Sequence, residues 1–144
     1  MKNNFLFVLF LLLIFILSAC GTPAPPAATE AASVSSSALF QIVKPDGTKF
    51  DVTLEAVKAL PLAQLTAEGK VEEGPYLSDV LALAGVTDFT EITLTGSSNP
   101  ATLTFEQVDE NTILDFNNHG TMKLASTYIP KANWTKDVAK ITVK

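Results

Sequence analysis

The chain has 144 residues and a formal net charge of −5, and its ten basic residues are all lysine. It contains one cysteine and one histidine, which excludes an intrachain disulfide, a CxxC redox or haem-attachment motif and a multi-histidine zinc site. Because an acidic chain without arginine binds phosphates poorly, we predict no nucleic-acid partner.

Residues 1–19 have the form of a bacterial lipoprotein signal peptide. Lys2 precedes an unbroken apolar run, Phe5–Leu17, which is shorter than a membrane-spanning helix requires. The run ends in the sequence LSAC, which resembles a lipobox and implies that Cys20 becomes the lipidated mature N-terminus. We therefore expect a lipid-anchored protein outside the cytoplasm, at the cell surface or in the periplasm. An ordinary secretory signal with a chance cysteine is the alternative.

Residues 20–38 are predicted to comprise the lipidated cysteine and a disordered tether. The segment is rich in Pro, Ala, Ser and Thr and carries a single charged side chain, Glu30. It has too little apolar surface to offset the entropy of ordering. Residues 39–144 then have the size of one domain with one core.

The first part of this domain is predicted to form strands and short helices. Pro45–Gly47 is a tight-turn signal between an apolar strand and a strand of alternating residues, and Thr53 is a candidate helix cap. The helix that follows is expected to end before Pro61. In order, the predicted elements are strands at Leu39–Val43 and Lys49–Val52, a helix at Leu54–Leu60 and a strand at Gln64–Thr66.

A central core helix is predicted from Leu77, Val80, Leu81 and Ala84, which recur at helical spacing before Gly85. Because strands outnumber helices, the predicted class is α+β, with a small mixed or rolled sheet and short flanking helices. The remaining predictions are strands at Glu91–Thr95, Ile113–Phe116 and Lys140–Val143, turns at 96–100 and 117–120, and a capping box at Thr104–Gln107.

Four stretches of the domain carry a family resemblance: Pro45–Pro61, Glu73–Val86, His119–Leu124, and Trp134–Val138 followed by Ile141–Val143. In this order and spacing they resemble the molybdopterin-binding domain of the sulfite-oxidase family of oxidoreductases. The resemblance implies the α+β fold of that family over about residues 40–143.

The same resemblance implies that the chain lacks the chemistry of the family. Those enzymes bind molybdenum through a cysteine thiolate, whereas the only cysteine here is Cys20, which precedes the domain. Their pocket also relies on arginine, and Lys123 stands where the motif has one. We therefore predict no catalytic residue, no metal and no cofactor, with molybdopterin suggested by the resemblance alone.

The candidate ligand-binding residues are those that match the motifs lining the cofactor pocket of the family: Asn117, Asn118, His119, Lys123 and Trp134. They combine amide, imidazole and ammonium donors with an aromatic ring, which favours a small anionic or neutral polar ligand. A solvent-facing turn is the alternative for His119, and a packing role is the alternative for Trp134.

Glu68, Glu72 and Glu73 are interpreted as a solvated acidic face. The leading functional hypothesis is a membrane-anchored, non-catalytic module that binds a small ligand or an envelope protein. One alternative is a component of a molybdopterin-dependent oxidoreductase system. The other is a structural envelope lipoprotein without a small-molecule ligand.

Overall fold

The structure is a computed structural model and describes residues 37–144. The predicted signal peptide, the lipidation site at Cys20 and most of the predicted tether lie outside these residues. Within residues 37–144, no helix combines the length and the apolar character needed to cross a membrane.

Residues 37–144 form nine strands, two α-helices and two short 3₁₀ turns. The helices are α1 (Leu54–Lys58) and α2 (Leu77–Leu83), and the 3₁₀ turns are Phe105–Gln107 and Lys131–Asn133. The strands are β1 (Ala38–Val43), β2 (Lys49–Thr53), β3 (Ala63–Ala67), β4 (Lys70–Gly74), β5 (Glu91–Thr95), β6 (Ala101–Thr104), β7 (Thr112–Phe116), β8 (Met122–Ser126) and β9 (Lys140–Val143).

A five-stranded mixed sheet has the order β2-β1-β9-β5-β6. Strands β1 and β9 run parallel, and the other neighbouring pairs are antiparallel. Two further hairpins, β3–β4 and β7–β8, form separate two-stranded sheets. The predicted α+β class with a mixed sheet and short helices is therefore confirmed.

The turn and the helix cap predicted near the start of the domain are both present in the structure. The Asp46 carboxylate accepts the Thr48 N–H at 2.8 Å, and Gly47 has a φ of 83°, so the β1–β2 turn closes. The Thr53 hydroxyl accepts the Ala56 N–H at 3.2 Å and caps α1. The helix ends at Lys58, two residues before the predicted end at Leu60.

Helix α2 is the predicted core helix, and its apolar face is fully buried. Leu77, Val80 and Leu81 have no exposed surface, and Gly85 ends the helix with a φ of 72°. They share the main core with buried residues of the five-stranded sheet, such as Ile42, and with one face of the β7–β8 hairpin.

The β7–β8 hairpin is covered on both faces. Leu114 and Leu124 face the main core, whereas Ile113 and Ala125 join a second apolar cluster with β3 and Trp134. The backbone comes close to the β3–β4 hairpin at Gly74, where a Cβ atom would lie 1.9 Å from the Leu114 carbonyl oxygen. Only glycine allows this approach, which places β4 beside β7.

Strands β4, β6 and β8 are absent from the sequence prediction. β4 is mostly polar and follows a Glu68-Gly69 turn in which both residues have positive φ, 49° and 75°. Such two-residue turns are usually signalled by Asn-Gly or Asp-Gly, so Glu-Gly gave no hairpin signal. β6 lies between the predicted turn at 96–100 and the capping box at Thr104–Gln107, and β8 begins within the motif His119–Leu124, so neither is predicted as a strand.

We expect Leu81→Ala to lower the free energy of unfolding by about 2–5 kcal/mol, because it leaves a cavity under α2. Leu62→Ala is the matched control, since the Leu62 side chain is 54% exposed and Leu81 is 0% exposed. Urea denaturation of both variants measures the difference. Equal losses for the two variants would contradict the burial of α2.

Candidate functional site

Four charged side chains meet beside the second apolar cluster. The Glu72 carboxylate lies 3.0 Å from Lys123 Nζ and 3.0 Å from Lys131 Nζ, one ammonium group at each oxygen. Lys123 also lies 2.8 Å from the Asp115 carboxylate. We call Glu72, Asp115, Lys123 and Lys131 the charge cluster, and its two positive and two negative charges balance.

Strand register brings these side chains together. Asp115 on β7 is paired directly with Lys123 on β8, so their side chains leave the hairpin on the same face. On the other hairpin, Glu72 is paired with the buried Leu65 and therefore points inward. Its neighbour Glu73 points outward, because successive side chains alternate along a strand.

Trp134 forms the apolar side of the charge cluster. Its ring is 2% exposed, and its indole N–H donates to the carbonyl oxygens of Ser126 at 3.0 Å and Ile129 at 3.3 Å. The ammonium groups of Lys131 and Lys123 lie 5.1 and 5.8 Å from its ring centroid, within the range of cation–π attraction. The tryptophan is thus fixed at its edge and at its face.

The two carboxylates of the charge cluster differ in acidity. Burial opposes ionisation of Glu72, but the hydrogen bonds from Lys123 and Lys131 outweigh it and lower its pKa from 4.5 to about 2. Burial raises the pKa of Asp115, and the neighbouring Glu72 adds to this against the opposing effect of Lys123. The arrangement keeps Glu72 as the firmly charged partner of both lysines.

A cleft of about 420 Å³ opens next to Trp134, between the end of β3 and the loop that follows β8. Lys131 and Trp134 form one side, where the Glu68 carboxylate accepts the Lys131 backbone N–H at 3.3 Å. The Tyr128 ring lies at the rim and is 41% exposed, while its hydroxyl donates to Asp109 at 2.6 Å. The cleft thus combines apolar rings with polar groups.

A second polar cluster forms around Asp137. The Ser97 hydroxyl donates to one carboxylate oxygen at 2.5 Å, and Thr121 and the Asn117 amide donate to the other at 2.5 and 2.8 Å. These hydrogen bonds, that from Ser97 first, lower the pKa of Asp137 to about 2. They connect the β5–β6 turn and the β7–β8 turn to the segment after Trp134.

The five predicted ligand-binding residues are divided between two places. Lys123 belongs to the charge cluster and lies against the ring of Trp134, which lines the cleft. Asn117 belongs to the cluster around Asp137, and its side-chain oxygen accepts the His119 N–H at 2.9 Å. Asn118 and His119 are exposed in the β7–β8 turn, and Trp134 has the buried position expected for a packing role.

The interpretation of Glu72 as part of a solvated acidic face is wrong, because it is paired with two lysines on the inner side of β4. Glu68 and Glu73 are exposed, as expected. Sequence reasoning also gave no role to Lys131 and none to Tyr128. The pairing of Glu72 with the buried Leu65 was the one available signal that Glu72 points inward. This signal could be used only if the register between β3 and β4 was known.

Residues 37–144 contain no group of three or more His, Cys, Asp or Glu side chains arranged to hold a metal ion.

Comparison with known proteins bears on the fold. The chain is similar to part of the sulfane dehydrogenase SoxCD from Paracoccus pantotrophus, with a TM-score of 0.55 and 19% sequence identity over 72% of this chain. The domain has a distant molybdopterin-oxidoreductase-like fold. The match covers 37% of the SoxCD chain, so this chain spans well under half of that length. No protein-family model and no curated protein matches the chain.

We expect Glu72→Gln to lower the free energy of unfolding by about 1–3 kcal/mol at pH 7, because it leaves Lys123 and Lys131 without their shared carboxylate. Glu73→Gln, on the exposed side of β4, is the matched control and should change it by less than about 0.5 kcal/mol. Since the pKa of Glu72 is lowered to about 2, its contribution is present above about pH 4.5 and is lost as the pH falls toward 2. Urea denaturation at pH 7 therefore measures it in full, and equal values for the two variants would contradict the pairing.

Proposed function

We propose that the domain is a non-catalytic binding module whose site is the cleft beside Trp134. The observation that carries the proposal is the 420 Å³ cleft itself, which has a buried, doubly hydrogen-bonded tryptophan as part of its wall. A volume of this size lies within the range of small-molecule sites, about 300–1,000 Å³. Because Trp134 is held rigidly, the wall is formed before a ligand arrives, which lowers the cost of binding.

The charge cluster beside Trp134 favours a binding role of the site over a catalytic one. Each of the four groups of the charge cluster is held in an ion pair at 2.8 or 3.0 Å, so proton transfer would break a stabilising contact. A general acid or base needs a pKa near the working pH, whereas the pKa of Glu72 is lowered to about 2 and that of Lys123 is raised. Asp115, whose pKa burial raises, does not line the cleft. The cluster therefore acts as a support for Trp134.

The residues present do not fit a molybdopterin cofactor. Residues 37–144 contain no cysteine to supply the thiolate that the resembled sulfite-oxidase family uses. Lys123 stands in the place of the motif's arginine and is already bound to Glu72 and Asp115. A cofactor phosphate would have to displace these carboxylates. The fold likeness to SoxCD supports a sulfite-oxidase-like origin of the domain, and we propose that the domain keeps the fold without the cofactor.

We also propose that the module is attached to a bacterial membrane from outside the cytoplasm. The support is the lipobox-like LSAC sequence that ends at Cys20, followed by a Pro- and Ser-rich segment. A tether of this composition would let the domain reach a ligand or an envelope protein at some distance from the bilayer.

Binding at the cleft can be followed directly, because Trp134 is the only tryptophan of the chain. A screen of small polar compounds should give at least one that raises the melting temperature and changes Trp134 fluorescence together. Phe105→Ala removes an exposed ring outside the cleft lining. In this variant the compound should change the melting temperature and the Trp134 fluorescence by as much as in the wild type. If no compound affects Trp134, the structural-lipoprotein alternative is favoured. Stoichiometric molybdenum in protein from its native envelope would instead favour the oxidoreductase component.

Lipid attachment makes a separate prediction. The full-length wild type should sediment with membranes and carry acyl mass on Cys20, and Cys20→Ser should lose the acyl mass and be less firmly bound to membranes. Membrane fractionation and intact-protein mass spectrometry measure both. A wild type without acyl mass, or a variant bound as firmly as the wild type, would contradict the anchoring proposal.

A further inference from the structure

We infer that the ligand of the cleft is a neutral saccharide of one or two sugar units, stacked on the ring of Tyr128. This inference rests on the proposed binding function and specifies its ligand class. It is drawn from an exposed but fixed aromatic ring, from the charges of the lining and from the hydroxyl groups around it.

Tyr128 has the properties of a stacking platform. Its side chain is 41% exposed, yet its hydroxyl donates to Asp109 at 2.6 Å and its backbone N–H donates to the Ser126 hydroxyl at 3.2 Å. The hydroxyl and the backbone of Tyr128 are thus both held by hydrogen bonds, while its partly exposed side chain lines the cleft. A fixed aromatic face offers a large contact area at little entropic cost, which suits the C–H face of a pyranose ring.

The charges of the lining select against a free anion. Lys131 is the basic residue of the lining, and its ammonium group is bound to Glu72 at 3.0 Å. Glu68 is the acidic residue of the lining, and one of its oxygens makes only a 3.3 Å bond to the Lys131 N–H. The negative charge of an ionised carboxylate repels an anionic ligand. Its oxygens only accept hydrogen bonds, so they can bind the hydroxyl donors of a ligand.

Hydroxyl groups of the protein complete the pattern. Thr66 and Thr127 line the same cleft and are exposed, and each hydroxyl can donate one hydrogen bond and accept others. A sugar presents donors and acceptors around its ring and an apolar face above it. The cleft thus offers one apolar surface, one carboxylate acceptor and two hydroxyls, which together match such a ligand.

The test uses the full-length protein in a phosphocholine detergent, which carries no sugar. Glucose, N-acetylglucosamine and cellobiose are titrated while Trp134 fluorescence is recorded, and glucuronate serves as the anionic counterpart of glucose. We expect at least one neutral sugar to bind, and we expect Tyr128→Ala to lower the affinity for that sugar about tenfold or more. Tyr128→Phe keeps the ring and should lower the affinity less than about threefold. Glucuronate should bind more weakly than glucose, and Glu68→Gln should reduce that difference.

The outcomes separate this inference from the proposed function. If other polar compounds change Trp134 fluorescence and none of the neutral sugars does, the saccharide inference is overturned and the binding function stands. If no compound does so, both are overturned. Sugar binding that is unchanged in Tyr128→Ala, with Phe105→Ala as the matched aromatic control, would overturn the stacking role of Tyr128.

Discussion

The pairing of one carboxylate with two lysines is the interaction on which the candidate site depends. Glu72 contacts Lys123 on β8 and Lys131 on the loop that follows, at 3.0 Å each. Both lysines also approach the face of Trp134. Because a partly buried carboxylate and a partly buried ammonium each need a partner, the three elements that carry them are held in one arrangement. These ion pairs help to fix the position of the Trp134 ring, which lines the cleft.

The segment after Trp134 connects the two polar clusters. Its backbone runs along the free edge of β8, where the Leu124 N–H donates to the Thr135 carbonyl at 2.9 Å and the Val138 N–H donates to the Met122 carbonyl at 2.8 Å. The charge cluster holds one end through Trp134, and Asp137 holds the other through Ser97, Asn117 and Thr121. An edge that would otherwise be open to other strands is therefore covered, and the cleft gains a rigid side.

Much of the fold could be predicted from the sequence because its signals are local. The helical spacing of Leu77, Val80 and Leu81 and the cap at Thr53 predicted elements that the structure contains. The β3–β4 hairpin was missed at Glu68-Gly69, since glutamate is an unusual residue at positive φ. The charge cluster could not be predicted, because it joins Glu72 to residues 51 and 59 positions away. The five candidate residues came from family motifs, and a motif does not tell which of its members share a face.

The acidity of the two carboxylates beside Lys123 tests this account most directly. A titration that follows the side-chain carboxyl carbons by NMR, with Glu72→Gln and Asp115→Asn to assign the signals, would measure both. We expect Glu72 to remain ionised until the pH falls to about 2, and Asp115 to take up its proton above its ordinary value of 3.8. If both carboxylates titrate at their ordinary values, Glu72 is not held between the two lysines and the support of Trp134 must be sought elsewhere.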